Sequence, residues 1–249
     1  MNSVVYEHPL NEKVRLLMRL ELIFDQLEAH KDVSKKINIQ PFFKFLFDAI
    51  EVLERNDIRP TLTYYLDLLE RSMIRWSAHP EIHDESLQQR LKEAVNLQTE
   101  IANMNKACQQ LKEDKFLASL RQRFGIAGGT CGFDLPQLGY WQQKPDFEKS
   151  QDVEDWFSVF MPLQQALAFS LLFIRESVGF EHFTAINGFY QASCADNVSL
   201  LRVKYDASMG YFPTVSGSKH RYSITFMAPD KTSVKKSVND TIQFQLATC

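Results

Sequence analysis

A chain of 249 residues, 45% of them hydrophobic, can bury a sizeable core and divide into two packed regions, while a formal net charge of −3 excludes a uniformly basic nucleic-acid binder. Its four cysteines, Cys108, Cys131, Cys194 and Cys249, are too widely spaced for a disulfide framework or a CxxC pair. The charge is uneven: residues 201–249 carry 7 basic and 3 acidic side chains, a balance of +4, so the remainder carries −7.

At the start of the chain Glu7 and Asn11 occupy positions where a secretion signal needs its apolar centre. Residues 4–8, VVYEH, read as a short strand before a PLNE turn. From Glu12 to about His30, Leu16, Leu17, Leu20, Ile23, Phe24 and Leu27 recur on one helical face. A second helix follows in NIQPFFKFLFDAIEVLER, with Asn38 as its cap and Pro41 in its first turn. Its phenylalanines cover more than one stripe, which predicts a central helix or one that contributes to a subunit contact. Pro60 to Trp76 and about Asp84 to Cys108 read as a third and a fourth helix, separated by a turn at His79-Pro80. KEDKFLASLRQRF, 112–124, reads as a single amphipathic helix, and residues 142–152 as a surface connection. Residues 152–179 read as helical, with a break or bend near Pro162 and a later half too short and too interrupted to cross a bilayer. Beyond Gly179 the period becomes 2, in AINGFYQA, SLLRVKYD, GYFPTV, RYSITFM and TIQFQLA. Tyr222, Ile224 and Phe226 fall on one face of their strand and Arg221, Ser223 and Thr225 on the other, as in an antiparallel sheet with one wet face.

The segment RQRFGIAGGTCGFDLP, 121–136, sets a phosphate-binding loop against a helix end. A P-loop needs a lysine and a hydroxyl opening a helix after its glycines, and GGTCGFD has no such lysine. The glycines instead end a helix, and TCGFDLPQLGYW has the character of a strand or hairpin, so 130–142 and 3–8 are expected to complete the β region. The expected class is α+β: a mainly helical domain over 12–178 joined to an antiparallel β-sheet domain over 180–249.

No compact set of catalytic groups stands out, no cofactor is implied, and the chain reads as no enzyme. His79 and His83 have i,i+4 spacing, but Pro80 lies between them and no HExxH pattern is present. Tyr205 and Tyr222 could stack nucleic-acid bases, although Tyr222 shares the inward face with Ile224 and Phe226 and core packing accounts for it better. Lys115, Arg121, Arg123, Lys219 and Arg221 are either a groove that selects an acidic peptide or separate solvated charges.

Several stretches carry a family resemblance across nearly the whole chain: EHPLNEK at 7–13, VLERNDIR at 52–59, KEDKFLASLRQRFGIAGGTCGFDLP at 112–136, INGFYQ at 186–191, LLRVKYD at 200–206 and SGSKHRYSITFM at 216–227. In order and separation they resemble the ZapD family of bacterial cell division proteins. The resemblance implies a cytoplasmic homodimer, recruited to the division ring at midcell, that binds the C-terminal tail of FtsZ. It further implies a non-enzymatic factor that cross-links or bundles protofilaments, with reduced GTPase activity of the partner as an accompanying effect and without integral membrane association. The family's positive pocket carries over to Arg55, Lys115 and Arg221; Arg121, Arg123 and Lys219 join it on their own pattern. Thr225 stands where a pocket arginine is expected, and Lys115 where relatives can have arginine. The competing readings are a single-stranded nucleic-acid binder and a dimeric adaptor for another acidic peptide.

Overall fold

The computed structural model describes residues 2–77, 85–103, 109–195, 198–217, 220–229 and 236–249. They pack as two compact units, Met18–Ser170 and Met1–Leu17 with Leu171–Cys249, and the class is α+β. The His79-Pro80 turn, His83, Cys108 and Lys219 lie outside the described residues.

The helices in chain order are α1 (Glu12–Ala29), α2 (Lys36–Arg55), α3 (Arg59–Ser77), α4 (Glu85–Asn103), α5 (Gln109–Glu113), α6 (Lys115–Phe124), α7 (Pro136–Gln142), α8 (Asp146–Ser158) and α9 (Met161–Glu176). The unit boundary falls inside α1 and inside α9. The core of the helical unit is aromatic. Phe43 of α2 lies with its ring centroid 5.3 Å from Trp141, 5.6 Å from Trp156 and 6.1 Å from Phe116, so α2 is held by α6, α7 and α8 through edge and tilted contacts. Phe42, Phe43 and Phe47 are all buried there. Phe42, Phe43 and Phe47 are thus taken up by the core of their own unit.

Several local expectations in this unit need correction. Asn38 does not cap α2, which starts two residues earlier; its side-chain amide donates to the Asp32 carbonyl at 2.8 Å, and Pro41 sits inside the helix. Residues 112–124 are two helices, because Asp114 leaves the helical path and accepts from the backbone N–H groups of Phe116 (2.8 Å) and Leu117 (3.0 Å), capping α6. The same carboxylate accepts the indole N–H of Trp156 at 3.0 Å, which ties the cap to α8.

Residues 130–142 do not complete a sheet. Successive turns run from Ile126 to Asp134, with Gly128 at φ 73° and Gly129 so close to the Arg123 carbonyl that a Cβ would lie 2.5 Å from it. Pro136 then opens α7, where its missing N–H costs nothing, and Leu138 and Trp141 share the buried helical face. The surface connection expected at 142–152 shrinks accordingly, since α8 already begins at Asp146. The expected bend is present: α8 and α9 meet at 54° across a two-residue break, with Pro162 in the first turn of α9. Among the described residues no single helix is long and apolar enough to cross a membrane.

The β unit has two antiparallel sheets where one was expected. The strands are β1 (Ser3–Pro9), β2 (Glu181–Ala185), β3 (Phe189–Ser193), β4 (Leu200–Asp206), β5 (Phe212–Gly217), β6 (Arg221–Ala228), β7 (Lys236–Ser237) and β8 (Ile242–Thr248). One sheet has the order β1-β4-β8-β2, so the N-terminal strand returns to pair with β4, and the other has the order β3-β6-β5, with β7 beside β6. Ala185, Leu201, Val203, Ile242, Phe244 and Leu246 of the first sheet share one core with Tyr222, Ile224 and Phe226 of the second.

AINGFYQA is not one strand. Asn187 (φ 52°) and Gly188 (φ 67°) form a tight turn closed by Phe189 N–H to Ile186 O at 3.0 Å, which sends β2 and β3 into different sheets. Gly188 is also required because the Val238 carbonyl oxygen would lie 2.2 Å from a Cβ. On the outer face of the first sheet Glu7 accepts from Arg202 at 2.9 Å and from Arg175 at 2.8 Å, joining β1, β4 and the end of α9.

Candidate functional site

Four of the six expected cations belong to the helical unit. Arg55 ends α2, where the helix carbonyls favour positive charge, and its guanidinium lies 2.7 Å from Glu51 one turn back. Lys115 opens α6 and is exposed, with no ion pair among the described residues. Arg121 grips Glu54 by two parallel hydrogen bonds of 2.8 and 2.7 Å. Arg123 lies 3.8 Å from Asp134, at the outer limit of an ion pair.

Glu54 is the meeting point of this surface. Besides Arg121 it faces Lys112 of α5 at 3.3 Å. The hydrogen bond from Arg121, helped by the charge of both cations, holds the Glu54 carboxyl down to about 2 against its ordinary 4.5. Two recesses open beside it. The larger, about 460 Å³, lies between α2, α5 and α6; Phe47, Ile50, Leu111, Leu117 and Ala118 supply apolar surface, and Lys112, Arg121 and Gln122 supply donors. The smaller, about 180 Å³, also has Glu54 and Lys112 in its wall, together with Arg59, which forks onto Asp57 at 2.8 Å.

This arrangement suits an extended acidic segment. Lys112 has three donors, and its contact to Glu54 is long, so an incoming carboxylate can be met without breaking the Arg121–Glu54 fork. Apolar side chains of the same segment would lie on the Phe47–Leu117 surface. Lys112 and Arg59 were not among the expected site residues. Lys112 was hidden by reading 112–124 as one helix; Arg59 follows directly on VLERNDI, where the chain leaves α2.

The β unit carries Arg221, the first residue of β6. Strand alternation puts Arg221, Ser223 and Thr225 on the outer face, and the register sets Ser193, Gln191 and Phe189 of β3 opposite them on that face. Thr214 and Ser216 of β5 flank the other side. Arg221 is therefore a charged member of a face that also carries hydroxyls, an amide, Met227, Phe212 and the Phe189 ring, which is 46% exposed. Tyr222, weighed as a base-stacking ring, is 4% exposed and faces the core, where burial pushes its phenol pKa up and keeps it neutral. Tyr205 packs against Phe226 at 6.3 Å. Among the described residues no group of three or more His, Cys, Asp or Glu side chains is placed to hold a metal ion.

Comparison with known proteins gives a consistent match. The family model ZapD, described as a cell division protein, matches residues 18–225. The Cell division protein ZapD of Shewanella sp. (strain MR-7) is 36% identical over 252 residues, covering 100% of both chains. Those of Idiomarina loihiensis and Serratia proteamaculans are each 35% identical over 248 residues, covering 100% and 99% of this chain and 97% and 98% of their own.

Proposed function

This chain belongs to the ZapD family of cell division proteins, and on that premise we propose that it binds the acidic C-terminal tail of FtsZ and cross-links FtsZ protofilaments. It acts as a non-enzymatic cytoplasmic adaptor recruited to the division ring at midcell. The observation that carries the reading is the recess between α2, α5 and α6, where Lys112 and Arg121 border an apolar floor: donors for carboxylates and a surface for the uncharged side chains between them. Arg221, on the outer face of β6, offers a second cation next to exposed aromatic surface. Arg55, Lys115, Arg123 and Lys219 extend the positive charge offered to the tail.

Bundling follows from valency. A homodimer presents each surface twice, so that once one tail is held a second tail meets its site at an effective concentration on the order of millimolar. A single-tail affinity that is modest on its own then suffices to couple two filaments. GTP hydrolysis stays in the partner, and its rate falls as filament packing changes.

Fluorescence anisotropy of a labelled FtsZ tail peptide tests the binding step. The native chain is expected to bind with an affinity that falls steadily with added salt, and Arg221→Asp to bind at least fivefold more weakly. Equal affinity of the folded Arg221→Asp and native chains across the titration would remove Arg221 from the surface. Preference for an unrelated acidic peptide would keep the adaptor chemistry and change its partner.

A further inference from the structure

The helical unit has a second concavity of opposite charge. A cleft of about 540 Å³ opens between α5, α6, α7 and α8, within the size range of about 300–1,000 Å³ typical of ligand sites. Phe116, Trp141 and Trp156 give it an aromatic wall, and Tyr140, 77% exposed, stands at its edge. Its charged lining is three carboxylates, Asp114, Asp152 and Asp155, against one ammonium, Lys144.

The hydrogen bonds of these acids separate structural work from spare capacity. Asp114 is used by the α6 cap and the Trp156 indole. Asp152 accepts the Trp141 indole N–H at 2.7 Å and the Lys144 ammonium at 2.8 Å, both on Oδ2. Asp155 accepts Gln151 at 2.9 Å on Oδ1. Oδ1 of Asp152 and Oδ2 of Asp155 thus accept nothing among the described residues. They belong to side chains three apart on α8, which places them on one helical face with Cβ atoms about 5–6 Å apart.

We propose that this cleft receives an arginine side chain of a peptide segment from a partner protein. The residual charge excludes an anion, and an apolar occupant would strip water from two carboxylate oxygens and return no donor. A guanidinium meets both requirements: its planar fork supplies N–H groups to neighbouring acceptors, while its face stacks on an aromatic ring such as Tyr140. A lysine ammonium satisfies the charge but lacks the flat face and the second donor edge. The cleft shares Leu111 with the basic recess beside Glu54 but carries the opposite charge and has the opposite preference.

The tryptophan side chains make the test direct, because Trp141 and Trp156 both line the cleft and the chain has three tryptophans in all, so few indole signals need assignment. The indole N–H resonances of the full-length chain are followed while an acetylated, amidated GRGRG peptide is added, with GKGKG and GEGEG as comparisons. The expected result is saturable movement of the Trp141 and Trp156 signals with GRGRG, at least fivefold weaker with GKGKG and absent with GEGEG. Asp155→Asn, which disturbs neither indole bond nor the α6 cap, is expected to weaken GRGRG binding at least fivefold while leaving the melting temperature and the binding of the FtsZ tail peptide unchanged. No saturable movement up to about 10 mM GRGRG overturns the proposal. So does equal movement with GEGEG, or movement on diluting the protein alone, which would make a second copy of the chain the occupant. Because the tail peptide is measured on the same variant, failure here and failure of tail binding are read separately.

Discussion

Lys115 occupies the first position of α6, where the helix N-terminus disfavours a cation by about 0.3–1 kcal/mol at low salt. The adjacent Asp114 carboxylate, aimed at the first-turn amides, offsets that cost. Residue identities of this kind were legible in the sequence: Lys115, Arg121, Arg123 and Arg221 stand out by charge alone. What each one touches was not. Arg121 is held by Glu54, 67 residues away, and no spacing rule reaches that far. Lys112 escaped because its importance depends on that same carboxylate. Thr225 is the residue where the account can gain rather than lose function. It shares the outer face of β6 with Arg221, opposite Phe189 and Thr214, so an arginine there adds charge without entering the core. Thr225→Arg should tighten tail-peptide binding about threefold to tenfold at low ionic strength, with the advantage shrinking at high salt. A titration showing no gain at any salt concentration would mean the tail does not pass over this face.

At the scale of elements, the long periodic helices and the alternating strands were readable because one face of each is apolar. β6 shows this most clearly, with Tyr222, Ile224 and Phe226 buried as expected. Short elements were misread for identifiable reasons. The glycines of 125–132 do end α6, yet α7 follows instead of a strand, because Leu138 and Trp141 pack at helical spacing and Pro136 suits a first turn. Asn187-Gly188, both at positive φ, interrupts an apparently continuous apolar-alternating run; an Asn-Gly pair is a strong two-residue turn signal that the alternation on either side conceals. Asp114 is the residue on which two elements depend. Asp114→Ala removes the α6 cap and leaves the Trp156 indole without its acceptor, an expected loss of about 1–3 kcal/mol in urea denaturation; an unchanged midpoint would contradict the double role. The tie between α2 and α6 has a pH signature. Since the folded carboxyl of Glu54 titrates at about 2 and an unperturbed one at 4.5, its contribution is complete above about pH 4.5 and is lost as the pH falls towards 2. Glu54→Gln should therefore flatten the fall of stability with acid across that window, and parallel native and variant curves would show that the fork contributes nothing.

For the whole molecule, the α+β class and the return of the N-terminal strand to the sheet could be anticipated from where the apolar periods change. The pairing of β1 with β4 gives that return its register, and the Glu7, Arg175 and Arg202 cluster fastens it to the end of α9. The split into two sheets could not be anticipated, because it depends on which strands become neighbours and β2 and β3 part at a two-residue turn. On the proposed reading, function at this scale is a matter of valency: cationic surfaces repeated in a dimer would join polymers whose tails they hold. The most direct measurement is low-speed sedimentation of FtsZ filaments, with GTP, in the presence of this protein, using full-length FtsZ and FtsZ lacking its C-terminal tail. The account predicts that full-length filaments pellet as bundles and that the tail-less filaments, though assembled, remain in the supernatant. Equal pelleting of both would contradict it.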